Sequence, residues 1–231
     1  WVLTGAAAVL SIGGMPAATG GFTAGFSVAQ VANVALVNQA MDSTLYGALV
    51  SGSFEAQSLN SYALTLTNPG AEAGSTTGWT AEVGAMNVRS VNPAPYAGSF
   101  YFNGGSAVQS LSRQRLDLVA QGVPSAKLDL GTAWAKIRWK QAAWNNNDPG
   151  GMGVRTLTSA DATIATSYSA LAFTPFGPGA APGGPWFPRC WPVLMAGTTR
   201  KVDALYNASG RTEGTNNDHY VDEVSVTVYV P

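Results

Sequence analysis

The chain has 231 residues, 46% apolar and 11% charged, with 12 basic against 13 acidic side chains. That length suits one large β domain, or a domain with an appendage, whose core needs no disulfide. The balanced charge leaves no footprint for nucleic acid. The single cysteine, Cys190, excludes an internal disulfide and a multi-cysteine zinc site.

Residues 1–58 differ from the rest. Three short apolar segments, "LTGAAAVL", "VAQVANVALV" and "LYGALV", alternate with Gly-rich or polar connectors. Each is too small-sided to pack a core alone and fits either a strand or a short helix. The β-branched residues and flanking turns of "FSVAQVANVALVNQAM" favour strand. The expectation is a β-rich docking or oligomerisation segment that rests on a neighbour or on another copy of the chain. "VLTGAAAVLSIGG" resembles the apolar part of a secretory signal, but no basic residue precedes it. No apolar run reaches the ~20 residues that cross a bilayer, so membrane insertion is not expected.

From residue 59 onward, 27 glycines and 13 prolines over the whole chain punctuate short alternating runs. "SYALTLTNPGAE" is a strand broken by Asn68-Pro69-Gly70. "GSFYFNGG" is a short aromatic strand. "LDLGTAWAKIRWKQAAW" is the longest candidate, with Ala135, Ile137, Trp139 and Ala143 on one face and Trp134, Lys136, Arg138, Lys140 and Trp144 on the other. "GMGVRTLTS" and "ATIATSYSALAF" follow. "TPFGPGAAPGGPWFPRCWP" reads as a loop, since its prolines remove ladder donors. "TRKVDALYNAS" and "YVDEVSVTVYV" complete about eight strands. With no convincing long helix, the expected fold is all-β, a sandwich or jelly roll over residues 59–231.

The last strand poses a problem. Read with period two, Asp222 shares a face with Val224, Val226, Val228 and Val230, and an unpaired carboxylate beside a core is costly. It needs a partner, and Arg211, Arg200 or turn amides are candidates.

Two stretches carry a resemblance: "NPGAEAGSTTGW" (68–79) and "GRTEGTNNDHYVDEVSVTV" (210–228), with "PYAGSFYF" between them. Together they resemble the galactose-binding-like jelly roll of carbohydrate-binding modules, over about residues 62–231. That resemblance implies a structural calcium joining the first and last strands at one rim. Its ligands would be the carboxylates of Glu72 and Asp222 and carbonyls near Asn68 and Gly98, with Asp218 in reserve. A hard cation taking 6–8 oxygens suits such a turn. The N-terminal segments also resemble strands ahead of such modules in tailed-phage structural proteins. This implies a virion protein that associates with other copies of itself and other virion proteins. A secreted or cell-surface bacterial carbohydrate-binding module is the alternative.

Catalytic patterns are missing from the sequence. The one histidine, His219, has no nucleophile elbow near it, and no phosphate loop appears. Asp117, Asp129, Asp148, Asp161 and Asp203 are scattered, with no spacing that pairs them for glycoside hydrolysis. The expectation is a non-enzymatic protein. Sugar binding has better support, because pyranose faces stack on aromatic rings while hydroxyls need polar groups nearby. Trp134 and Trp144 flank Lys136, Arg138 and Lys140, a set able to grip an acidic or neutral glycan on a host surface. Trp186, Phe187 and Trp191 form a second candidate. Both sets could equally serve a subunit contact.

Overall fold

The structure, a computed structural model, describes residues 59–143, 148–169, 185–212 and 214–231. The expected N-terminal docking segment, residues 1–58, therefore lies outside the described residues, as does Trp144. Among the described residues, eleven strands and one helical turn follow in order: β1 (Asn60–Leu64), β2 (Thr80–Val83), β3 (Asn87–Arg89), β4 (Tyr101–Asn103), β5 (Ser110–Asp117), α1 (Ser125–Leu128), β6 (Trp134–Ala143), β7 (Gly150–Leu157), β8 (Thr163–Tyr168), β9 (Phe187–Leu194), β10 (Lys201–Ala208) and β11 (His219–Val230). They form two antiparallel sheets, the jelly-roll β-sandwich expected. Sheet A runs β3-β4-β11-β6-β9, with β1 also paired to β11; sheet B runs β2-β5-β10-β7-β8. Among the described residues, no helix is long and apolar enough to cross a membrane.

The core lies between the sheets. Ala135, Ile137 and Trp139 of β6 meet Met152 and Val154 of β7, Leu116 of β5, and Val226 and Val228 of β11. Fully burying each such aliphatic side chain contributes about 2 kcal/mol. Trp79 closes one side, edge-on to Phe102 with centroids 5.5 Å apart.

Three sequence expectations are corrected. The stretch read as a Pro/Gly-rich loop contains β9, which pairs with β6 from Trp134↔Leu194 to Gln141↔Phe187. Pro188 and Pro192 are tolerated because β9 lies at the edge of sheet A, where alternate backbone nitrogens face away from the neighbouring strand. Strand β5, "SLSRQRLD", went unread because its inward side chains Ser110, Ser112 and Gln114 are buried but polar. Gln114 fastens the chain after β1, accepting from Thr67 N–H at 2.6 Å and donating to Thr67 O at 2.9 Å.

The third correction concerns Asp222. The pairing of β11 with β6 slips between Asp222↔Lys140 and Ser225↔Arg138, leaving one extra residue on β11. Glu223 takes a positive φ of 52° there. Such a bulge reverses the alternation. Val226 and Val228 pair with the inward Ile137 and Ala135, whereas Asp222 pairs with Lys140. Asp222 therefore belongs to the outer face of sheet A, opposite to the valines.

Candidate functional site on the outer face of sheet A

Directly opposed residues of antiparallel strands share a face, so the register maps the outer surface. One row is Ser61, Tyr229, Trp134 and Leu194; the next is Ala63, Thr227, Lys136 and Pro192. Ser225, Arg138 and Cys190 follow, then Asp222, Lys140 and Pro188. Trp134 and Tyr229 thus stand side by side and half-buried, with Leu194 48% exposed beside them. Of the predicted glycan-contacting residues, the structure brings together Trp134, Lys136 and Arg138.

The cations on this face differ from one another. Arg138 is exposed, while Lys136 is only 9% exposed, its stem covered by the sheet surface. Burial lowers the Lys136 pKa, and the Arg138 charge adds to that effect. The Lys140 ammonium sits 4.3 Å from the ring centroid of Tyr96.

A loop roofs the upper end of the same face. Beneath it Tyr101, Tyr220 and Ala142 form a small second core, with Trp186 packed against them. Tyr101 donates its hydroxyl to Val91 O at 2.8 Å, and the Trp186 indole N–H donates to Ala94 O at 2.9 Å. Trp186 is therefore engaged in holding the loop. Trp191 packs on the main core and donates its indole N–H to Ser167 Oγ at 3.0 Å. Both indole N–H groups of the second predicted set are thus engaged within the protein, while Trp186, Phe187 and Trp191 remain half-buried.

The rim residues meet at this loop. Asp222 Oδ2 accepts from the N–H groups of Tyr96 at 3.0 Å and Ala97 at 3.2 Å, and Oδ1 accepts from Glu223 N–H at 2.8 Å. Glu72 accepts from Ser99 N–H at 2.9 Å and Phe100 N–H at 3.1 Å. Turn amides are thus the partner of Asp222; Arg211 serves carbonyls of Ser106 and Thr215, and Arg200 serves Asp129. Gly98 is required here: its φ is +63°, and a Cβ would lie 2.3 Å from the Glu72 carboxylate. Asn68 organises the opening turn, accepting from Ala73 N–H and donating to Ser75 O, and its own carbonyl receives the Trp79 indole N–H.

The geometry of the rim meets part of what calcium requires. A carboxylate offers about four acceptor sites, so Glu72 and Asp222 both retain free lone pairs. Carboxylate oxygens of Asp222 and Glu223 flank Gly70, 3.3 and 3.2 Å from where its Cβ would stand. Burial pushes the Asp222 carboxyl up to about 6, with the Glu223 charge adding to that rise and the amides opposing it. The setting therefore welcomes positive charge. Among the described residues, however, no three acidic, His or Cys side chains converge to hold an ion, so backbone carbonyls and water would supply the rest of the shell.

Asp218, the reserve ligand, points elsewhere. It accepts from the Tyr220 hydroxyl at 2.8 Å, and Arg89 Nη1 lies 3.6 Å away. Together with Arg89, Asn92 and Asn216 it lines a shallow polar cleft. Burial raises the Asp218 pKa. His219 is fully buried in the core, its ring against Gly150 and 5.7 Å from the Tyr206 ring. Burial pulls it down to about 3, so it stays neutral.

The outer face of sheet B carries a lattice that sequence reading missed. Asp203, fully buried, receives Arg115 in two bonds of 2.8 and 3.0 Å and Arg155 at 3.3 Å. Glu82 bridges Arg113 at 2.9 Å and Arg155 at 2.7 Å, and Asp161 joins Arg115 and Lys201. The period-two arginines of "SRQR" were the available signal. Their acids come from β2, the β7–β8 turn and β10, which only the sheet brings together.

No protein-family model and no curated protein matches the sequence. Solved structures resemble it in fold. An enzymatically active domain of tailspike protein 4 from bacteriophage CBA120 aligns with TM-score 0.48 and 11% identity, over 71% of this chain and 21% of that chain. The protein thus spans about a fifth of that tailspike chain. TmCBM61, solved with β-1,4-galactotriose, aligns with TM-score 0.44 and 12% identity, over 71% of this chain and 97% of that one. The CBM22-1 xylan-binding domain of Paenibacillus barcinonensis Xyn10C gives 0.43 and 13%, over 74% and 94%.

Proposed function

We propose that the Leu59–Pro231 unit is a non-enzymatic glycan-binding module, and that sugar rings dock on the outer face of sheet A. The observation that carries this reading is the adjacent aromatic pair Trp134 and Tyr229, bordered by polar Thr227, Ser225 and Ser61 and the cations Lys136 and Arg138. Flat rings beside hydroxyls and charges suit both faces of a pyranose. A binding role without catalysis is supported by how the acids are engaged: Glu82 and Asp203 are held by arginines, Asp148, Asp222 and Glu72 by backbone amides.

In this reading the module is carried on a phage particle as a decoration or fibre-type protein, beside other copies of itself and other virion proteins. What supports that placement is the resemblance of residues 1–58 to phage structural segments. Calcium at the Glu72–Asp222 rim belongs to the same proposal, supported by the gathered carboxylates. Holding a metal in the fold alone raises stability by mass action, so a chelator should lower the melting temperature and added calcium restore it. An unchanged melting temperature would leave the amides as the only tie.

The direct test is retention on immobilised polysaccharides. Trp134→Ala and Tyr229→Ala should each weaken retention at least tenfold while melting within a few degrees of the parent. Retention unaffected by either change would refute the face assignment. Fractionation of particles separates the two settings: co-purification with virions supports the phage reading, and accumulation on bacterial surfaces without particles supports a free module.

A further inference from the structure

The two outer faces of the sandwich treat positive charge in opposite ways. On sheet B, Arg113, Arg115, Arg155 and Lys201 each touch a carboxylate of Glu82, Asp161 or Asp203. On sheet A, Lys136, Arg138 and Lys140 lie at every second position of β6. Among the described residues, no carboxylate comes within ion-pair distance of any of the three. The acid nearest in the ladder, Asp222, stands opposite Lys140 but turns its oxygens to three amides and makes no ion pair with it.

The Lys136 stem lies along the sheet while its ammonium reaches solvent with no carboxylate beside it among the described residues. Lys136 is 9% exposed, with Thr227 and Pro192 as its cross-strand neighbours. Arg138, two residues on, is exposed and offers a planar fork suited to a carboxylate. Trp134 precedes them by one alternation. From Trp134 to Lys140 the stripe runs about 20 Å along the strand, long enough for several sugar units.

We propose that the ligand of this face is an anionic polysaccharide: carboxylates of uronate-type sugars pair with Lys136 and Arg138 while ring faces stack on Trp134 and Tyr229. The inference rests on the glycan-binding reading above and adds the chemical class. A bound carboxylate would supply the counter-charge that offsets the desolvation of Lys136 and its repulsion from Arg138, which together hold its pKa down. Strong dependence on ionic strength follows, since charge pairing at an open face is screened within about 10 Å at 0.1 M salt.

The experiment is affinity electrophoresis of the full chain through gels holding alginate, polygalacturonate, hyaluronate or polysialate, each beside its carboxyl-reduced or esterified form. Neutral xylan and galactan gels run in parallel, with single-stranded DNA as a further lane. At least one acidic polymer should retard the protein tenfold more than its neutralised form, and salt should weaken that retardation. Arg138→Gln and Lys136→Gln should each reduce it five-fold or more. Lys127→Gln, an equal loss of charge on α1, should leave it unchanged. Arg138 is exposed, so its variant reads binding even if Lys136→Gln disturbs the fold. Equal retardation by acidic and neutralised forms, or by neutral polymers alone, overturns the acidic class and leaves the glycan reading standing. Retardation by none of the polysaccharides, or by DNA alone, overturns both.

Discussion

The backbone N–H of Tyr96 donates to Asp222 Oδ2 at 3.0 Å while its ring receives the Lys140 ammonium 4.3 Å from the centroid. Lys140 and Asp222 are themselves cross-strand partners. One loop residue thus satisfies a buried carboxylate with its amide and a lysine with its ring, locking the loop over sheet A. Removing the carboxylate leaves three amides without their acceptor, and each buried unmet donor costs about 1–3 kcal/mol. Asp222→Ala should therefore lower stability by about 2–4 kcal/mol in urea unfolding. A loss under 0.5 kcal/mol would mean the loop is held by other contacts.

Two buried groups should give opposing pH dependences. The Asp222 pKa, raised from 3.8 to about 6, makes the native state bind its proton more tightly than the unfolded chain. Its contribution therefore grows as pH falls from about 6 to 4. The His219 pKa, lowered from 6.5 to about 3, acts the other way: its contribution is complete above 6.5 and is lost as pH falls below that. Each slope approaches about 1.4 kcal/mol per pH unit within its window. The two nearly cancel between pH 6 and 4. Asp222→Ala should steepen acid destabilisation there, and His219→Phe should flatten or reverse it. Parallel profiles for both variants would contradict the assignment.

Gly98 fixes the turn that presents two amides to Glu72. A methyl group there would meet the carboxylate at 2.3 Å on a backbone with φ +63°. Gly98→Ala should destabilise by about 2–4 kcal/mol. Glu72→Gln at the same junction replaces one accepting oxygen with a donor, so a cost of about 1–2 kcal/mol is expected in the same assay. Neutral behaviour of both variants would show that the Glu72 contact contributes nothing to stability.

On sheet B, Asp203 is fully buried between Arg115 and Arg155, whose side chains are 26% and 16% exposed. Deleting a buried partner of such a pair costs about 3–5 kcal/mol; the partly solvated arginines bring the expectation for Asp203→Ala to about 3 kcal/mol. Glycan retention should survive at temperatures where this variant stays folded, since the lattice lies on the other sheet. A loss of retention in folded Asp203→Ala would tie the two faces together.

How far the sequence disclosed this arrangement depended on where simple alternation held. In β6 it held, so the separation of Ala135, Ile137 and Trp139 from Trp134, Lys136 and Arg138 could be read directly. In β11 it failed at Glu223, where one extra residue turned Asp222 outward; nothing in "YVDEV" marks a bulge. β5 escaped because its inner positions are Ser110, Ser112 and Gln114, polar residues buried through tertiary contacts. β9 escaped because its prolines argue against a ladder until the strand is known to be at an edge. The gathering of Glu72, Gly98 and Asp222 at one loop followed a resemblance, while the amides that serve the acids lie at Tyr96, Ala97, Ser99 and Phe100, whose side chains carry no sign of that role.

The most direct test of the sugar-binding face is a chemical-shift map. Nitrogen-15-labelled protein is titrated with an oligosaccharide of the polymer that retains it best. The largest changes should fall at the Trp134 indole and the amides of Lys136, Arg138, Thr227 and Tyr229. Changes centred instead on the Arg113–Arg155 face, or on the Arg89–Asp218 cleft with Trp134 unmoved, would contradict it.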